Sequence, residues 1–90
     1  MQVQKDIVFK QIGTKIIYYR KLRGLTQQEL SELAHISIST LGKIERGKYN
    51  LNVSLSVLID IANGLDIDFS ILFDFSEIEK RMWNDERKSH

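Results

Sequence analysis

Apolar residues near the start of the chain recur at intervals of three and four positions. This spacing is typical of an amphipathic α-helix, because it keeps the apolar side chains on one face. Asp6 is suited to cap such a helix at its start. The pattern predicts a first helix from Asp6 to about residues 23–24. Its apolar face consists of Phe9, Ile12, Ile16 and Tyr19.

A second helix has two start signals that agree. Thr26 and Glu29 have the spacing of a capping box, in which each side chain accepts a hydrogen bond from a free backbone N–H at the helix start. Leu25 and Leu30 occupy the positions of a hydrophobic staple around that cap. These residues predict a helix over about 27–34. Its inward face is expected to consist of Leu30, Leu33 and Ala34.

A third helix follows after a very short connection. Ser37 repeats the N-cap signal, with Ile36 and Leu41 at the staple positions. The short connection requires a sharp turn, and Ser31 supplies a small side chain where the two helices approach. The helical period turns Leu41 and Ile44 toward the core of a helix over about 38–46. It predicts an outward face of Ile38, Ser39, Gly42 and Lys43.

The second half of the chain predicts two more helices. The fourth ends at residues 63–64 or shortly after, where Asn and Gly interrupt the pattern. Its apolar residues are Leu55, Leu58, Ile59, Ala62 and Leu65. Asp68 is suited to cap a short fifth helix. That helix carries Phe69, Leu72 and Phe73.

The last residues are open to two interpretations. Ser76 and Glu79 form another Ser-x-x-Glu pair. An additional C-terminal helix would have a narrow apolar stripe of Phe75, Ile78, Met82 and Trp83. A frayed tail is equally compatible with the same residues. We therefore expect a helical domain over 1–73 and an extension over 74–90 that is either a dimerisation helix or a flexible tail.

Composition is that of a soluble globular domain. The chain has 90 residues, of which 42% are hydrophobic and 28% charged, and no apolar run has the roughly 18 residues needed to cross a bilayer. The N-terminus lacks the pattern of a secretory signal, and without cysteine the fold cannot rely on disulfides or thiolate metal ligands. We expect a cytoplasmic protein that uses no metal and no cofactor.

Charge is divided unevenly between the two halves. Residues 1–50 contain nine Lys and Arg against four Asp and Glu, a net charge of +5. Residues 51–90 contain four against eight, a net charge of −4. The basic half is expected to face a polyanion such as a nucleic acid. An uneven surface with no such partner is the alternative.

The order of these residues resembles the phage-repressor and Cro-like helix-turn-helix regulators, also called the xenobiotic-response-element family. The resemblance covers Ile12 to Phe73. It is carried by Arg20, Gly24-Leu25-Thr26-Gln27, Glu29-Leu30, Ile36-Ser37 and Ile44-Glu45-Arg46-Gly47. It implies an all-α, five-helix lambda-repressor-like domain that binds double-stranded DNA, with the helix-turn-helix motif at about 26–46 and the third helix in the major groove.

Three positions depart from the family pattern. His35 stands where the family has a turn glycine with positive φ, a conformation that His tolerates better than most residues. Gly42 lies inside the third helix, where it lowers helix stability, so it either permits close approach to DNA or is merely tolerated. The loop after Gly47 is longer than usual and lacks the frequent Pro.

The outward face of the third helix has the chemistry to read bases. Ile38 can contact a thymine methyl group, Ser39 can donate or accept a hydrogen bond, and Lys43 can reach guanine O6 and N7. The alternative for Ile38 is packing inside the protein. The resemblance assigns Gln27, at the start of the second helix, to a DNA phosphate. Further phosphate contacts are expected from Thr40, Arg46, Lys48 and Tyr49.

The resemblance also implies a partly buried ion pair between Arg20 and Glu45, which would hold the third helix at its angle. Because one motif buries too little area for high specificity, we expect a homodimer on a palindromic operator. The expected dimer surface lies on the fourth and fifth helices and the C-terminal stripe, with interface residues Leu72, Phe73, Phe75, Ile78, Met82 and Trp83.

A protein-interaction module or antitoxin of the same fold, for which a protein partner is primary, is the competing hypothesis. We do not expect an enzyme, because the two histidines lie at a turn and at the C-terminus and no phosphate-binding loop or metal-ligand spacing is present. Since the chain ends soon after the motif, we also expect no ligand-sensing domain.

Overall fold

The computed structural model describes residues 2–48 and 53–84, and over these ranges the chain is helical, without β-strands. The elements follow in the order α1 (Lys5–Leu22), α2 (Gln27–Ala34), α3 (Ile38–Glu45), α4 (Leu55–Leu65), a 3-10 helix (Phe69–Phe73) and α5 (Glu77–Met82). This is the all-α arrangement that the sequence predicts. In the described part of the chain, no helix is both long and apolar enough to cross a membrane.

Most helices begin at the caps that the sequence predicts. Thr26 accepts from the Glu29 N–H and completes the capping box of α2, and Ser37 accepts from the Thr40 N–H at 3.0 Å. Asp68 caps the predicted fifth helix, which is a 3-10 helix. These side chains fix the helix starts because they satisfy backbone N–H groups that have no partner within the helix.

The predicted N-cap of the first helix is wrong by two residues. α1 begins at Lys5 with Gln4 at the cap position, so Asp6 lies in the first turn rather than before it. The backbone N–H of Gln4 donates to the carbonyl of Trp83 at 3.2 Å. The start of α1 is therefore hydrogen-bonded to the C-terminal segment. A pattern of neighbouring residues cannot predict such a contact.

The core lies between α1, α2, α3, α4 and the 3-10 helix. Its buried residues are Ile12, Ile16, Leu30, Ala34, Leu41, Ile44, Leu58, Ile61, Ala62, Leu65 and Leu72. Burying an aliphatic side chain of this size contributes roughly 1.5–3 kcal/mol. Each core residue on α2 and α3 therefore helps to fix the angle between these two helices.

Leu33, which was predicted to face inward, is exposed, and so are two apolar residues of the fourth helix. Leu33, Leu55 and Ile59 keep 53%, 59% and 38% of their surface. Leu33 lies about 100° around α2 from the buried Ala34, since successive residues on a helix are separated by that angle. In α4 the apolar residues span a wide arc of the helix, and only its middle, with Leu58, Ile61, Ala62 and Leu65, is buried. An apolar arc wider than the contact with the core cannot show which of its members are covered.

The connection between α2 and α3 is a tight left-handed turn. His35 has φ 58° and ψ 40°, which confirms the predicted positive φ at this position. The N–H of Ile36 donates to the carbonyl of Ser31 at 3.0 Å, and that of His35 to the carbonyl of Glu32 at 3.3 Å. These bonds close the end of α2. Ser31 is buried at this elbow, as its small size predicts.

The C-terminal end of α3 packs directly on the backbone of α1. A Cβ atom at Gly13 would clash with the carbonyl oxygens of Glu45 and, at 2.6 Å, of Ile44. A Cβ atom at Gly47 would lie 2.8 Å from the backbone nitrogen of Lys10. The two glycines therefore allow α1 and the end of α3 to approach more closely than side chains would permit.

The C-terminal segment up to residue 84 folds against α1. Gln11 is buried and uses both ends of its amide, since its Nε2 donates to the carbonyl of Glu79 at 3.0 Å and its Oε1 accepts from Nε1 of Trp83 at 2.9 Å. Lys15 forms an ion pair with Glu79 at 2.7 Å. α5 begins with the capping box predicted at Ser76 and Glu79. Over residues 74–84 the additional helix is therefore the interpretation observed, and residues 85–90 lie outside the described part of the chain.

Packing of this segment changes the expected dimer surface. Leu72 is fully buried in the core, so its assignment to an interface is wrong. Phe75 and Trp83 are half-buried and pack edge to face at 5.2 Å. The exposed members of the predicted set are Phe73, Ile78 and Met82, with 39%, 71% and 37% of their surface accessible. Whether these residues form an interface stays a prediction.

Candidate nucleic-acid interface

One face of α3 points away from the protein. Leu41 and Ile44 are fully buried against the core. Ser39 and Lys43 are exposed, and Ile38 keeps 46% of its surface. The alternative that Ile38 packs inside the protein is therefore wrong. The structure brings an apolar side chain, a hydroxyl and an ammonium together over the first two turns of one helix.

Gly42 does not belong to this outward face, although the helical period predicts that it does. It is buried, and a Cβ atom there would be 3.2 Å from Nη1 of Arg46 and 4.0 Å from Nε2 of Gln27. The helical period predicts which way position 42 faces but not which side chains lie there. Here the side chains of Arg46 and Gln27 cover the backbone of Gly42.

The residues predicted to bind phosphates lie around α3. Thr40, Arg46 and Lys48 are exposed, and the hydroxyl of Thr40 accepts from the Ser37 hydroxyl at 2.8 Å. The backbone N–H of Lys48 donates to the carbonyl of Lys43 at 2.8 Å, which holds the residue after Gly47 against α3. Tyr49 lies outside the described residues.

Gln27 has a partner that the sequence analysis missed. Its Nε2 donates to Oε1 of Glu45 at 2.8 Å, so the start of α2 is bonded to the end of α3. No sequence pattern links these two positions, which are 18 residues apart. A glutamine amide has two N–H groups, so one remains for another acceptor.

The ion pair expected between Arg20 and Glu45 is present. Nε of Arg20 donates to Oε2 of Glu45 at 2.7 Å, and Nη2 donates to Oε1 at 3.3 Å. Nη1 donates to the carbonyl of Leu25 at 3.0 Å, just before α2. The Glu45 side chain is 2% exposed and that of Arg20 12% exposed. One guanidinium thus connects α1, the start of α2 and the end of α3.

The sequence analysis also did not predict the contact between α1 and the end of α3. Gly13 and Gly47 determine how closely the two elements approach, and Lys10 lies against Gly47. The only available signal was a glycine in the middle of a long helical pattern, since such a residue often has a packing reason. The contact fixes the end of α3 relative to α1.

The exposed basic side chains around α3 lie on a different part of the surface from α5. Lys43, Arg46 and Lys48 are on or beside α3. α5, which carries Glu77 and Glu79, packs on α1 through Gln11. Gln11 is two residues from Gly13, so it projects about 200° away from the side of α1 that contacts α3. α5 and the end of α3 therefore contact different sides of α1, and α5 does not cover the basic edge of α3.

Outside this edge, hydrogen bonds from the hydroxyl and backbone N–H of Ser70 lower the pKa of Asp68, and two further carboxylates have lowered pKa values. The backbone N–H and the hydroxyl of Thr26 donate to Glu29 and hold its pKa below the usual value. Burial raises the pKa of Glu79, but the hydrogen bonds and charge of Lys15 together with the bonds from Ser76 outweigh it and lower the pKa overall. Both groups stabilise helix starts. Among the described residues, no group of His, Asp and Glu has the arrangement of a metal site.

Two short helices joined by a tight turn, the second with an exposed face, have the arrangement of the helix-turn-helix class of DNA-binding regulators. The helix-turn-helix family model HTH_3 matches residues 16–72, which is more than half of the chain, and the chain belongs to this family. Regulators of this family bind DNA.

Curated relatives carry names of the same kind. The chain is 44% identical over 61 residues to the immunity repressor protein of Bacillus phage phi105, a match that covers 68% of this chain and 41% of the repressor. It is 42% identical over 55 residues to YazB, an uncharacterized HTH-type transcriptional regulator of Bacillus subtilis, covering 61% of this chain and 77% of YazB. This chain thus matches less than half of the phage repressor's length.

Solved structures share the fold. The restriction-modification controller protein C.AhdI from Aeromonas hydrophila has a TM-score of 0.68 and 34% identity, covering 72% of this chain and 96% of C.AhdI. A complex of SinR protein with SinI protein contains a chain with a TM-score of 0.64 and 30% identity, covering 87% of this chain and 80% of that one.

Proposed function

We propose that this protein regulates transcription by recognising a specific sequence of double-stranded DNA as a homodimer, with α3 in the major groove. The observation that carries the proposal is the exposed face formed by Ile38, Ser39 and Lys43. The major groove accepts an α-helix, and an apolar group, a hydroxyl and an ammonium can distinguish base pairs there. These three side chains are the proposed base-reading residues.

Phosphate contacts would come from the side chains around this face. Thr40, Arg46 and Lys48 are exposed next to it, and Gln27 would use the amide N–H that is not bonded to Glu45. Tyr49 keeps the phosphate role that the family resemblance implies. Contacts of this kind fix the position of a protein on the duplex but carry little sequence information.

A homodimer would supply the specificity that one motif lacks. Two copies related by a two-fold axis would bind half-sites about one helical turn, roughly 34–36 Å, apart on a palindromic operator. The proposed interface consists of exposed Phe73, Ile78 and Met82 with the accessible edges of Phe75 and Trp83. A patch of exposed apolar side chains is typical of a surface that binds another protein, and here the proposed partner is a second copy of the chain.

A salt series tests the DNA-binding proposal. The probe is the duplex that the wild-type protein selects from a random pool. Several phosphate contacts require log affinity to fall linearly with log salt, with a slope of about −0.9 for each contact. Affinity that does not respond to salt would refute the proposal.

Two lysine variants separate base reading from phosphate binding. Lys43→Ala should relax the preference at one base position, at a cost of about 1–3 kcal/mol on the selected duplex. Lys48→Ala should weaken binding to all sequences alike and reduce the salt slope by about 0.9. Lys80→Ala on α5 is the matched control and should change neither. Equal effects of Lys43→Ala and Lys48→Ala on all sequences would contradict these roles.

The dimer is tested separately by sedimentation equilibrium. Ile78→Asp places a charge on the most exposed apolar side chain of α5 and should shift the protein to a monomer with weaker operator binding. Glu77→Gln, on the same helix and similarly exposed, should leave the assembly unchanged. An unaltered dimer in Ile78→Asp would remove α5 from the interface.

A protein-interaction module is the second candidate function. It is supported by the similarity to a chain in a complex of SinR protein with SinI protein. For such a module, DNA binding would be secondary and a regulator protein the primary partner. Weak, sequence-independent binding to duplexes in the selection experiment would favour this candidate.

A further inference from the structure

Gly42 occupies an unexpected place in α3. Glycine in the interior of a helix lowers its stability relative to alanine, because the glycine backbone loses more freedom on folding. Gly42 is also buried rather than open to solvent. An open surface for DNA therefore does not account for it, and the protein's own side chains must be considered.

Two hydrogen-bond donors flank Gly42. A Cβ atom there would lie 3.2 Å from Nη1 of Arg46, which is closer than ordinary van der Waals contact, and 4.0 Å from Nε2 of Gln27. Helical side chains lean toward the N-terminus, so the side chain of Arg46 runs back over the residue four positions earlier. A Cβ atom at position 42 would require the guanidinium to shift slightly, and a longer side chain would displace it from this place.

The guanidinium of Arg46 has no acidic partner to hold it in this place. Among residues 2–48 and 53–84, the ion pairs involve Lys15, Arg20 and Lys80, not Arg46. Gln27, by contrast, is fixed by its bond to Glu45. The position of the Arg46 charge thus depends on the free space above Gly42.

We infer that Gly42 is a positioning residue for DNA binding: its missing side chain lets the guanidinium of Arg46 lie across α3 beside the amide of Gln27. The two donors then face the same edge of the groove, where one stretch of phosphate backbone can accept from both. This inference rests on the proposed DNA binding. It also explains why a residue unfavourable for the helix stands inside α3.

A thermodynamic cycle with Arg46 tests the inference on the duplex selected by the wild-type protein. Gly42→Leu fills the space with a strong helix former, and it should weaken binding as much as Arg46→Ala does. The loss of one phosphate contact lowers the salt slope by about 0.9, which corresponds to about eightfold weaker binding at 0.1 M salt if the affinities converge at 1 M. In the Arg46→Ala background, Gly42→Leu should cause no further loss.

Melting temperatures of the variants show whether a loss of affinity reflects the contact with Arg46 or a loss of folding. Gly42→Ala should melt at or above the wild-type temperature and still bind more weakly, so it carries the test if Gly42→Leu does not fold. Asn63→Ala, an exposed position of α4, is the control for helix propensity and should leave affinity unchanged.

Three results would separate the explanations. If Gly42→Leu weakens binding equally with and without Arg46, the glycine serves direct approach of DNA and the inference is overturned. If both Gly42 variants bind like the wild type, position 42 has no role in binding. If the wild-type protein itself shows no salt-dependent binding, the proposed function fails instead.

Discussion

Replacing Glu45 with alanine tests whether the position of α3 depends on the buried ion pair. Three hydrogen bonds reach this carboxylate, two from Arg20 and one from Gln27. Glu45→Ala removes their acceptor and leaves the Arg20 charge, whose side chain is only 12% exposed, without its acidic partner. The carbonyl of Leu25 remains as the only acceptor for Arg20 among the described residues.

The expected cost follows from this burial. Removing one partner of a well-buried ion pair costs about 3–5 kcal/mol, because the other charge stays desolvated. Since Arg20 keeps some contact with water, we expect about 3 kcal/mol. In a domain of this size each kcal/mol lowers the melting temperature by about 4–8 °C, so the fall should be at least about 12 °C. That loss is a large share of the roughly 5–15 kcal/mol that stabilises a typical protein.

A double-mutant cycle isolates the pair. Circular dichroism melting of Arg20→Ala, Glu45→Ala and the double variant should give a coupling free energy of about 1–3 kcal/mol. The exposed pair of Glu77 and Lys80, at 3.6 Å, is the matched control. Its coupling should be about 0–1 kcal/mol, because water screens exposed charges.

DNA binding is measured on the same variants at a temperature where each is folded. Glu45→Ala should bind more weakly than the wild type, because α3 loses its bonds to α1 and α2. A Glu45→Ala protein with a melting temperature within about 4 °C of the wild type and unchanged affinity would refute the reasoning. The ion pair would then be present without holding α3.

Two further predictions concern other parts of the structure. Gly13→Ala should destabilise the protein by about 1–3 kcal/mol, because its Cβ would meet carbonyl oxygens of α3; Thr14→Ala, the exposed next residue, is the control in the same urea titrations, and equal midpoints would contradict the contact. Lowering the pH should release α5 from α1, because the lowered pKa of Glu79 gives stability that is complete above pH 4.5 and is lost as the pH falls through the folded-state pKa. Fluorescence of Trp83, the only tryptophan, follows this release. An identical acid transition in Glu79→Gln would show that another group is responsible.

Local chemistry made much of the fold predictable. The capping pairs at α2 and α5 and the N-cap of α3 need only residues within three positions, so they are readable in the sequence. The left-handed turn at His35 was predictable from the family resemblance, since that position normally holds a glycine. The outward direction of Ile38, Ser39 and Lys43 follows from the helical period once the start of α3 is known.

Contacts between distant segments were not predictable. The bond of Gln27 to Glu45, the cover over Gly42 and the use of Gln11 to hold α5 each depend on where another helix lies. The exposure of Leu33 and the burial of Leu72 have the same origin, because an apolar residue is buried only where a partner surface reaches it.

The sequence by itself determined where the helices of the motif begin, how the turn between α2 and α3 is made and that Ile38, Ser39 and Lys43 face outward from α3. These features depend on hydrogen bonds and periodicity within a few residues. Only the tertiary structure decided which side chains hold α3 in place and which apolar residues remain on the surface. Those outcomes depend on how helices far apart in the chain pack together. Such packing requires two complementary surfaces, so it cannot be read from one segment of the sequence.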